Sequence, residues 1–199
     1  MPIATPRPAA SVIPLRRGGK HTERGLEVLL LKRSEQASFM PGVWVFPGGA
    51  VDPEDGEGEA GFRACALREL AEEASIELQS ADELVLFSHW ITPEMVPVRF
   101  DTRFYLALAP AHSAPEPDGS ETTEAAWWEP RLALEALRGG ELSLVFPTIK
   151  QLESLLTHAT SDEALEAARG RPVEPILPKV VGEGEERRVV LPGEPEYGG

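Results

Sequence analysis

The segment over residues 61–76 constrains the fold most strongly, because it predicts a helix with two chemically different faces. Good helix formers supply an apolar arc at Ala66, Leu67, Leu70 and Ala74. At about 100° of rotation per residue, Glu69, Glu72 and Glu73 share a neighbouring arc. One face must therefore pack on a domain core while the other gathers negative charge.

Three glutamates spaced i, i+3 and i+4 repel one another, each pair costing about 0.2–0.5 kcal/mol on an isolated helix. A divalent cation would relieve that repulsion, and Mg²⁺ prefers carboxylate and phosphate oxygens as ligands. The net charge of 19 − 33 = −14 also suits cations. It excludes a surface that follows nucleic-acid phosphates, which needs many Lys and Arg side chains. Acidic helix faces are often only solvated, so the surrounding sequence must decide.

Strand and helix patterns surround this helix in an order that favours an α+β fold. Short apolar runs predict strands at residues 26–31, 43–46, 83–87, 103–108 and 124–128. Three further helices are expected near residues 131–137, 147–158 and 162–169. The mixture predicts a helix-flanked mixed sheet rather than a parallel βαβ array.

The length of 199 residues suits one domain, which we place at residues 1–170. Residues 171–199 form a Pro/Gly-rich tail with short apolar runs. Three roles stay open for this tail: it could drape over the domain, complete a sheet edge, or join a homodimer.

Cysteine usage and apolar patterning bear on the compartment. Cys65 is the only cysteine, which excludes an internal disulfide and a four-cysteine zinc site. Residues 1–10 contain one Arg and three Pro without an apolar stretch behind them, so no signal peptide is indicated. No window approaches the roughly 18 apolar residues of a membrane span. We therefore expect a cytoplasmic protein without a membrane partner.

A glycine turn followed by the acidic helix resembles the Nudix box. The family pattern is G-x5-E-x7-R-E-U-x-E-E-x-G-U, where U is a bulky apolar residue. Every position from Arg68 to Glu73 matches, after Phe46-Pro47-Gly48-Gly49. The resemblance covers about residues 26–128. It implies the Nudix-type α/β/α sandwich with a mixed sheet, and Mg²⁺- or Mn²⁺-assisted hydrolysis of a diphosphate linkage in a nucleoside diphosphate derivative.

The box departs from the family pattern at two places. Gly49 and Arg68 are 68 − 49 = 19 positions apart, five more than in the pattern, and Ala60 stands where the first Glu is expected. Glu57 or Glu59 could replace that Glu, and the sequence does not choose between them. The family Gly near the end of the box is Ser75 here, where a positive φ would strain a serine.

The resemblance implies roles for the box residues. Glu69, Glu72 and Glu73 would hold the catalytic metal, with the backbone of Gly48 approaching it closely. Arg68 would orient these carboxylates by bidentate pairing rather than touch the substrate. Gly49 would let the backbone approach the bound substrate.

Residues outside the box complete the predicted site. In this family a further carboxylate often comes from a loop before a Trp-containing strand, and Glu121 and Glu124 precede Trp127. We favour Glu121 as the general base or an extra ligand. Substrate phosphates are assigned to three arginines, Arg33, Arg99 and Arg103.

The substrate stays open between several classes. Residues 39–42, 90–93 and 99–104 look like the branch that includes a peroxisomal coenzyme A diphosphatase, which implies coenzyme A or an acyl derivative as substrate. Pro93 lies seventeen positions after Ile76, near where ADP-ribose-cleaving members often carry a proline, so ADP-ribose or another nucleotide sugar is the rival. A non-catalytic nucleotide-binding module is the alternative of another class, but it would be expected to lose box glutamates. The diphosphate isomerase on this fold relies on a cysteine outside the helix, and Cys65 is misplaced for it.

Overall fold

A mixed β-sheet flanked by helices on both faces forms the centre of the molecule. The computed structural model describes residues 3–18, 25–37, 40–182, 184 and 187–198. The strands are β1 Arg7–Arg17, β2 Leu26–Arg33, β3 Trp44–Val45, β4 Gly48–Ala50, β5 Val85–Ile91, β6 Phe100–Leu108, β7 Thr122–Trp128, β8 Pro175–Ile176, β9 Lys179–Val181 and β10 Arg188–Val190. The helices are α1 Gly58–Ala74, α2 Pro130–Arg138, α3 Phe146–Leu155 and α4 Ser161–Ala168.

Strand β1, which the sequence did not indicate, lies in the middle of the sheet. It runs parallel to β6 from Arg7 to Leu15 and pairs on its other side with β4 and then with β2, both antiparallel. Two prolines, Pro8 and Pro14, hide it from pattern reasoning, because proline is normally confined to edge strands. Pro14 falls between the stretches that pair with β4 and with β2, so its missing N–H interrupts neither ladder.

Strand β2 has an uninterrupted apolar sequence because both of its faces are covered. Leu29 and Leu31 pack towards α1, whereas Val28 and Leu30 pack towards α2, α3 and α4. All four side chains are fully buried. The two cores on opposite faces of the sheet confirm the predicted α+β sandwich with a mixed sheet.

Helix α1 begins three residues earlier than predicted and ends at Ala74. Ser75 follows it in the left-handed conformation, with φ 53° and ψ 34°. Its N–H donates to the Ala71 carbonyl at 3.0 Å, and its hydroxyl donates to the Glu116 carbonyl at 3.3 Å. Ser75 therefore ends α1 in the left-handed conformation that the family glycine is expected to adopt, although this conformation favours glycine.

The C-terminal segment lies against the sheet edge formed by β5. Strand β8 pairs parallel to β5 at His89 and Trp90, and Ile176 and Leu191 pack against the core on that face. Strands β9 and β10 form a separate hairpin. In the part of the chain that the structure describes, no helix is both long and apolar enough to cross a membrane.

Candidate active site

The acidic face of α1 opens onto a cavity of about 1000 Å³. Strand β4, the N-terminal halves of β1 and β6, a turn over residues 118–121 and the start of α3 form its other walls. Eight of the residues proposed from the sequence line it: Arg33, Gly48, Gly49, Arg68, Glu69, Glu72, Glu73 and Glu121. The topology brings these residues together because β4 and α1 both pack on β1.

Glu73 is the most buried of the glutamates that line the cavity, with 4% of its surface exposed. Its Oε2 accepts a hydrogen bond from the Gly48 N–H at 2.9 Å. Burial raises the pKa of Glu73 to about 8; the Gly48 hydrogen bond opposes this shift, and the charges of Glu69 and Glu121 add to it. The site therefore holds a carboxylate whose negative charge lacks sufficient compensation.

Two adjacent glycines in β4 permit close approach on opposite sides of the strand. A Cβ atom on Gly49 would lie 2.2 Å from Oε1 of Glu69. A Cβ atom on Gly48 would lie 2.5 Å from the carbonyl oxygen of Ala10 in β1. Gly49 is thus required because Glu69 of α1 lies close to it, and Gly48 is required because strand β1 lies close to it.

Arg68 joins the inserted loop to the acidic face. Its Nε and Nη2 donate to the two carboxylate oxygens of Asp55 at 3.1 and 2.9 Å. Its Nη1 donates to Glu69 at 2.8 Å and to Glu72 at 3.1 Å. The hydrogen bond from Arg68 lowers the pKa of Asp55, although burial opposes the shift. The guanidinium therefore pairs at two points with Asp55 and at one point each with Glu69 and Glu72, while no hydrogen bond joins it to Glu73 in the described residues.

Asp55, rather than Glu57 or Glu59, pairs with the box arginine. The acidic loop contains a 3-10 turn, Pro53–Asp55, in which the Asp55 carboxylate also accepts the Asp52 N–H at 2.9 Å. Glu57 is exposed in front of α1. Glu59 binds elsewhere, to Arg63, Arg103 and the Tyr105 hydroxyl. An Asp-Pro-x-Asp sequence, typical of a helical first turn, was the signal that could have identified Asp55.

The carboxylates fit a divalent cation by their chemistry. Among the described residues no three His, Cys, Asp or Glu side chains are already grouped as a metal cluster, and Nη1 of Arg68 lies between Glu69 and Glu72. Burial raises the pKa of Glu69; the hydrogen bond and charge of Arg68 oppose this shift, and the charges of Glu72 and Glu121 add to it. Hard oxygen donors carrying uncompensated charge are the ligands that Mg²⁺ and Mn²⁺ prefer.

Glu121 reaches the cavity from a turn held by Asp118. One carboxylate oxygen of Asp118 accepts the N–H groups of Glu121 at 2.7 Å and of Thr122 at 3.3 Å. Although burial opposes it, these backbone hydrogen bonds and that of Ser120 lower the pKa of Asp118. Glu124, the other candidate, lies in β7 and pairs with Lys32 at 2.9 Å. Of the two, only Glu121 lines the cavity.

The three proposed phosphate-binding arginines separate in the structure. Arg33 lines the cavity, and its charge acts to lower the pKa of Glu73. Arg99 is buried outside the cavity and donates to the carbonyls of Thr92 and Ala4 at 3.0 and 2.7 Å. Arg103 also lies outside it and pairs with Glu59 at 2.6 Å. Of the three arginines predicted to bind phosphate, the structure therefore places Arg33 at the cavity and Arg99 and Arg103 outside it.

Strand alternation explains the position of Arg103 and reveals residues that the sequence did not indicate. Phe100, Thr102 and Phe104 point from β6 into the cavity, so Arg103 points to the α1 face. Arg7 also lines the cavity, with its guanidinium 5.9 Å from the centre of the Phe100 ring. No sequence signal identifies Arg7, because its role depends on the pairing of β1 with β6.

Comparison with known proteins establishes the family. Residues 5–147 match the family model described as NUDIX domain. The chain belongs to the Nudix family. It is 32% identical over 214 aligned positions to the Caenorhabditis elegans protein named "Putative nudix hydrolase 7", covering 89% of this chain and 70% of that protein. With this family membership, the protein is a hydrolase.

Solved structures of Nudix proteins share the fold. The crystal structure of a Nudix hydrolase from Alicyclobacillus acidocaldarius superposes with a TM-score of 0.74 at 26% identity, covering 86% of this chain and all of that one. The Nudix domain of Shewanella oneidensis NrtR, crystallised with ADP ribose, gives a TM-score of 0.58 at 19% identity over 77% of this chain and 88% of that one. The second similarity shows the fold alone.

Proposed function

We propose that this Nudix hydrolase cleaves the diphosphate linkage of a nucleoside diphosphate derivative with bound Mg²⁺ or Mn²⁺. The observation that carries the proposal is the packing of Glu69 and Glu73 beside Glu121 in one cavity, where burial and mutual repulsion raise the pKa of both helix glutamates. Such an arrangement disfavours an anionic ligand on its own. A divalent cation reverses that preference, and a diphosphate supplies the remaining oxygens.

The residues of the cavity have different roles in the proposed hydrolysis. Glu69, Glu72 and Glu73 would hold the metal, together with the backbone at Gly48. A divalent metal at this place supplies an acidified water and neutralises charge on the leaving phosphate. Glu121 takes the proton from the attacking water or completes the ligand set. Arg68 holds the helix carboxylates in position.

The substrate is bound by the groups around this centre. Arg33 pairs with a phosphate of the diphosphate, and Gly49 allows the substrate to approach β4 without a side chain between them. The retention of all three box glutamates disfavours a non-catalytic binding module.

Coenzyme A or an acyl derivative is the substrate we propose, with products 4′-phosphopantetheine, or its acyl form, and adenosine 3′,5′-bisphosphate. Residues 40–42, 90–93 and 99–104 support it by their resemblance to the coenzyme A branch, while Phe39 of that motif lies outside the described residues. ADP-ribose is the rival, since Pro93 matches a feature of ADP-ribose-cleaving members. The ratio of kcat/KM for the two compounds decides, because it reports differential transition-state binding.

The experiment is a panel of nucleoside diphosphate derivatives incubated with chelated enzyme to which Mg²⁺ or Mn²⁺ is returned, with products identified by mass. We expect cleavage at the diphosphate only when metal is returned, with a rate that rises from mildly acidic to alkaline pH. Undiminished turnover after exhaustive chelation would refute the metal-dependent mechanism. A clear preference for ADP-ribose would replace coenzyme A and leave the hydrolase assignment intact.

A further inference from the structure

The first turn of α3 forms a wall of the cavity and has no side-chain cap. Val145, Pro147 and Thr148 line the cavity. The N–H of Ile149 donates to the Val145 carbonyl at 3.1 Å, while the preceding N–H groups have no acceptor within the helix. The N-cap residue is Val145, whose side chain cannot accept a hydrogen bond. Helix N–H groups of this kind suit an acceptor supplied by a ligand.

Thr148 provides a second, independent indication of a ligand. Its side chain lines the cavity, yet only 2% of the residue is exposed. Within the described residues, no group forms a hydrogen bond with its hydroxyl. Other buried polar side chains nearby are paired: Gln151 donates to the Ser88 hydroxyl at 2.6 Å, and the Thr122 hydroxyl donates to the Glu73 carbonyl at 3.3 Å. An unpaired hydroxyl on a nearly buried residue that lines the cavity is available to a ligand bound there.

Helix α3 is held firmly enough to act as a preformed binding element. The Phe146 ring meets Trp90 edge to face, with ring centres 6.1 Å apart. The Gln151 hydrogen bond to Ser88 fixes the next turn of the helix to β5. Because β5 pairs with β6, which lines the cavity, these contacts also fix the position of α3 relative to the cavity wall formed by β6.

The charges available on this side of the cavity favour an anion. A helix N-terminus carries a partial positive charge. Arg7 lines the same cavity, and among the described residues no carboxylate forms an ion pair with it. The carboxylates of the cavity come instead from α1, from the loop before it and from the turn over residues 118–121. A tetrahedral phosphate matches convergent N–H and hydroxyl donors beside a positive dipole.

We propose that the first turn of α3, with the Thr148 hydroxyl, binds a phosphate monoester that the substrate carries in addition to the diphosphate that is cleaved. This inference rests on the proposed function, since the diphosphate must occupy the acidic side of the same cavity. The subsite selects phosphorylated nucleotides over their dephosphorylated counterparts. It therefore favours coenzyme A, which has a 3′-phosphate, over ADP-ribose, which has none.

The test compares substrate pairs that differ by one phosphate: coenzyme A with dephospho-coenzyme A, and NADPH with NADH. In at least one of these pairs, we expect the wild-type kcat/KM to be at least about tenfold higher for the phosphorylated compound than for its dephosphorylated counterpart. A factor of this size is what charge-assisted hydrogen bonds to one phosphate would supply. Thr148→Val should reduce that ratio towards one, mainly through KM. Thr148→Ser, which keeps the hydroxyl, should retain it.

A matched control uses the threonine that caps α4. The Thr160 hydroxyl accepts the Glu163 N–H at 3.2 Å, and Thr160 does not line the cavity. Thr160→Val should lower the melting temperature and leave the substrate ratio unchanged. If Thr160→Val reduces the ratio as Thr148→Val does, the ratio reports stability and the subsite is refuted.

Product binding separates failure of the subsite from failure of the proposed function. Calorimetry with adenosine 3′,5′-bisphosphate and 5′-AMP, each with Mn²⁺, needs no turnover. We expect the bisphosphate to bind about tenfold more tightly to the wild type, and the difference to shrink in Thr148→Val. Equal affinities, or a difference that Thr148→Val does not change, would overturn the subsite. Absence of cleavage across the panel would overturn the proposed function instead.

Discussion

Asp55 and Arg68 form a two-point ion pair, in which the carboxylate accepts Nε at 3.1 Å and Nη2 at 2.9 Å. The same guanidinium donates through Nη1 to Glu69 and Glu72. Asp55 therefore fixes the plane of the group that positions two proposed metal ligands. The lengthened loop between Gly49 and Arg68 therefore contributes to the site, because it contains the Asp55 carboxylate that positions Arg68.

Asp55→Asn should lower activity without unfolding the protein. The amide cannot accept two charge-assisted hydrogen bonds, so Arg68 gains freedom and Glu69 and Glu72 lose their fixed position. We expect kcat/KM and the apparent metal affinity to fall about 10- to 100-fold. Metal titrations of the initial rate measure both. Glu57→Gln is the matched control, because Glu57 is exposed, and it should behave as wild type. If Glu57→Gln lowers kcat/KM and metal affinity more than Asp55→Asn does, Glu57 rather than Asp55 is the carboxylate that fixes Arg68.

The same pair predicts an acid-dependent contribution to stability. Arg68 lowers the pKa of Asp55 in the folded state, so the unfolded chain binds a proton there at a higher pH than the folded protein does. The stabilisation is fully present above the unfolded pKa of about 3.9 and is lost as pH falls through the folded pKa. Urea unfolding of wild type and Asp55→Asn should give a constant difference above about pH 5 that shrinks below pH 4. A difference independent of pH would refute this assignment.

Glu73→Gln should separate catalysis from stability. Glutamine keeps an oxygen that can accept the Gly48 N–H but removes the charge that would bind metal. We expect kcat/KM to fall by about 100-fold or more, the effect of losing several kcal/mol of metal-assisted stabilisation. The melting temperature should stay level or rise, because a neutral amide replaces a carboxyl group whose ionised form is disfavoured by burial. Glu124→Gln, which breaks only the exposed pair with Lys32, is the control and should keep its activity.

The sequence predicted those elements whose pattern is set locally. Strand β2 is a short continuous apolar run and helix α1 has a helical period, each with signals at its ends, so their existence followed from the residues alone. Strand β1 did not, because Pro8 and Pro14 argue against a central strand. Its position depends on β6, which begins more than ninety residues later in the chain.

Within the site, the box fixed the positions that have constant spacing, Arg68 to Glu73. Counting back from Arg68 misses Asp55, because it puts Ala60 at the position of the first box Glu, whereas counting forward from Gly49 gives 49 + 6 = 55. The 3-10 turn brings the Asp55 carboxylate to Arg68. The sequence also did not predict which side of β6 faces the cavity. Alternation says that Phe100 and Arg103 face opposite sides, but only the packed helices decide which side is the cavity.

Ser75→Gly should stabilise the protein. Ser75 has φ 53°, a conformation that costs a residue with a side chain about 1–2 kcal/mol. Glycine removes this strain, while its larger unfolded-state entropy and the lost hydroxyl contact to Glu116 offset part of the gain. We expect a net increase of about 0.5 kcal/mol in the free energy of unfolding, measured in urea. A decrease would show that the hydroxyl contact outweighs the strain.

Gly48→Ala and Gly49→Ala should fail in different ways although the residues are adjacent. At Gly48 a methyl group would meet backbone, the Ala10 carbonyl oxygen at 2.5 Å and the Ser11 Cα at 2.7 Å, and the paired strands cannot yield. We expect a loss of about 2 kcal/mol or more in stability. At Gly49 the methyl group would meet the end of the flexible Glu69 side chain at 2.2 Å.

Because Glu69 can rotate away, Gly49→Ala should stay within about 1 kcal/mol of wild-type stability. The displaced carboxylate should nevertheless lower kcat/KM by about tenfold or more, since misplacement by about 1 Å can cost 100-fold. Gly139→Ala is the control: its nearest new contact is 3.5 Å, and neither stability nor activity should fall. Parallel urea unfolding and initial-rate measurements decide. Equal stability losses in Gly48→Ala and Gly49→Ala would show that Glu69 is held rigidly against β4 rather than free to turn away.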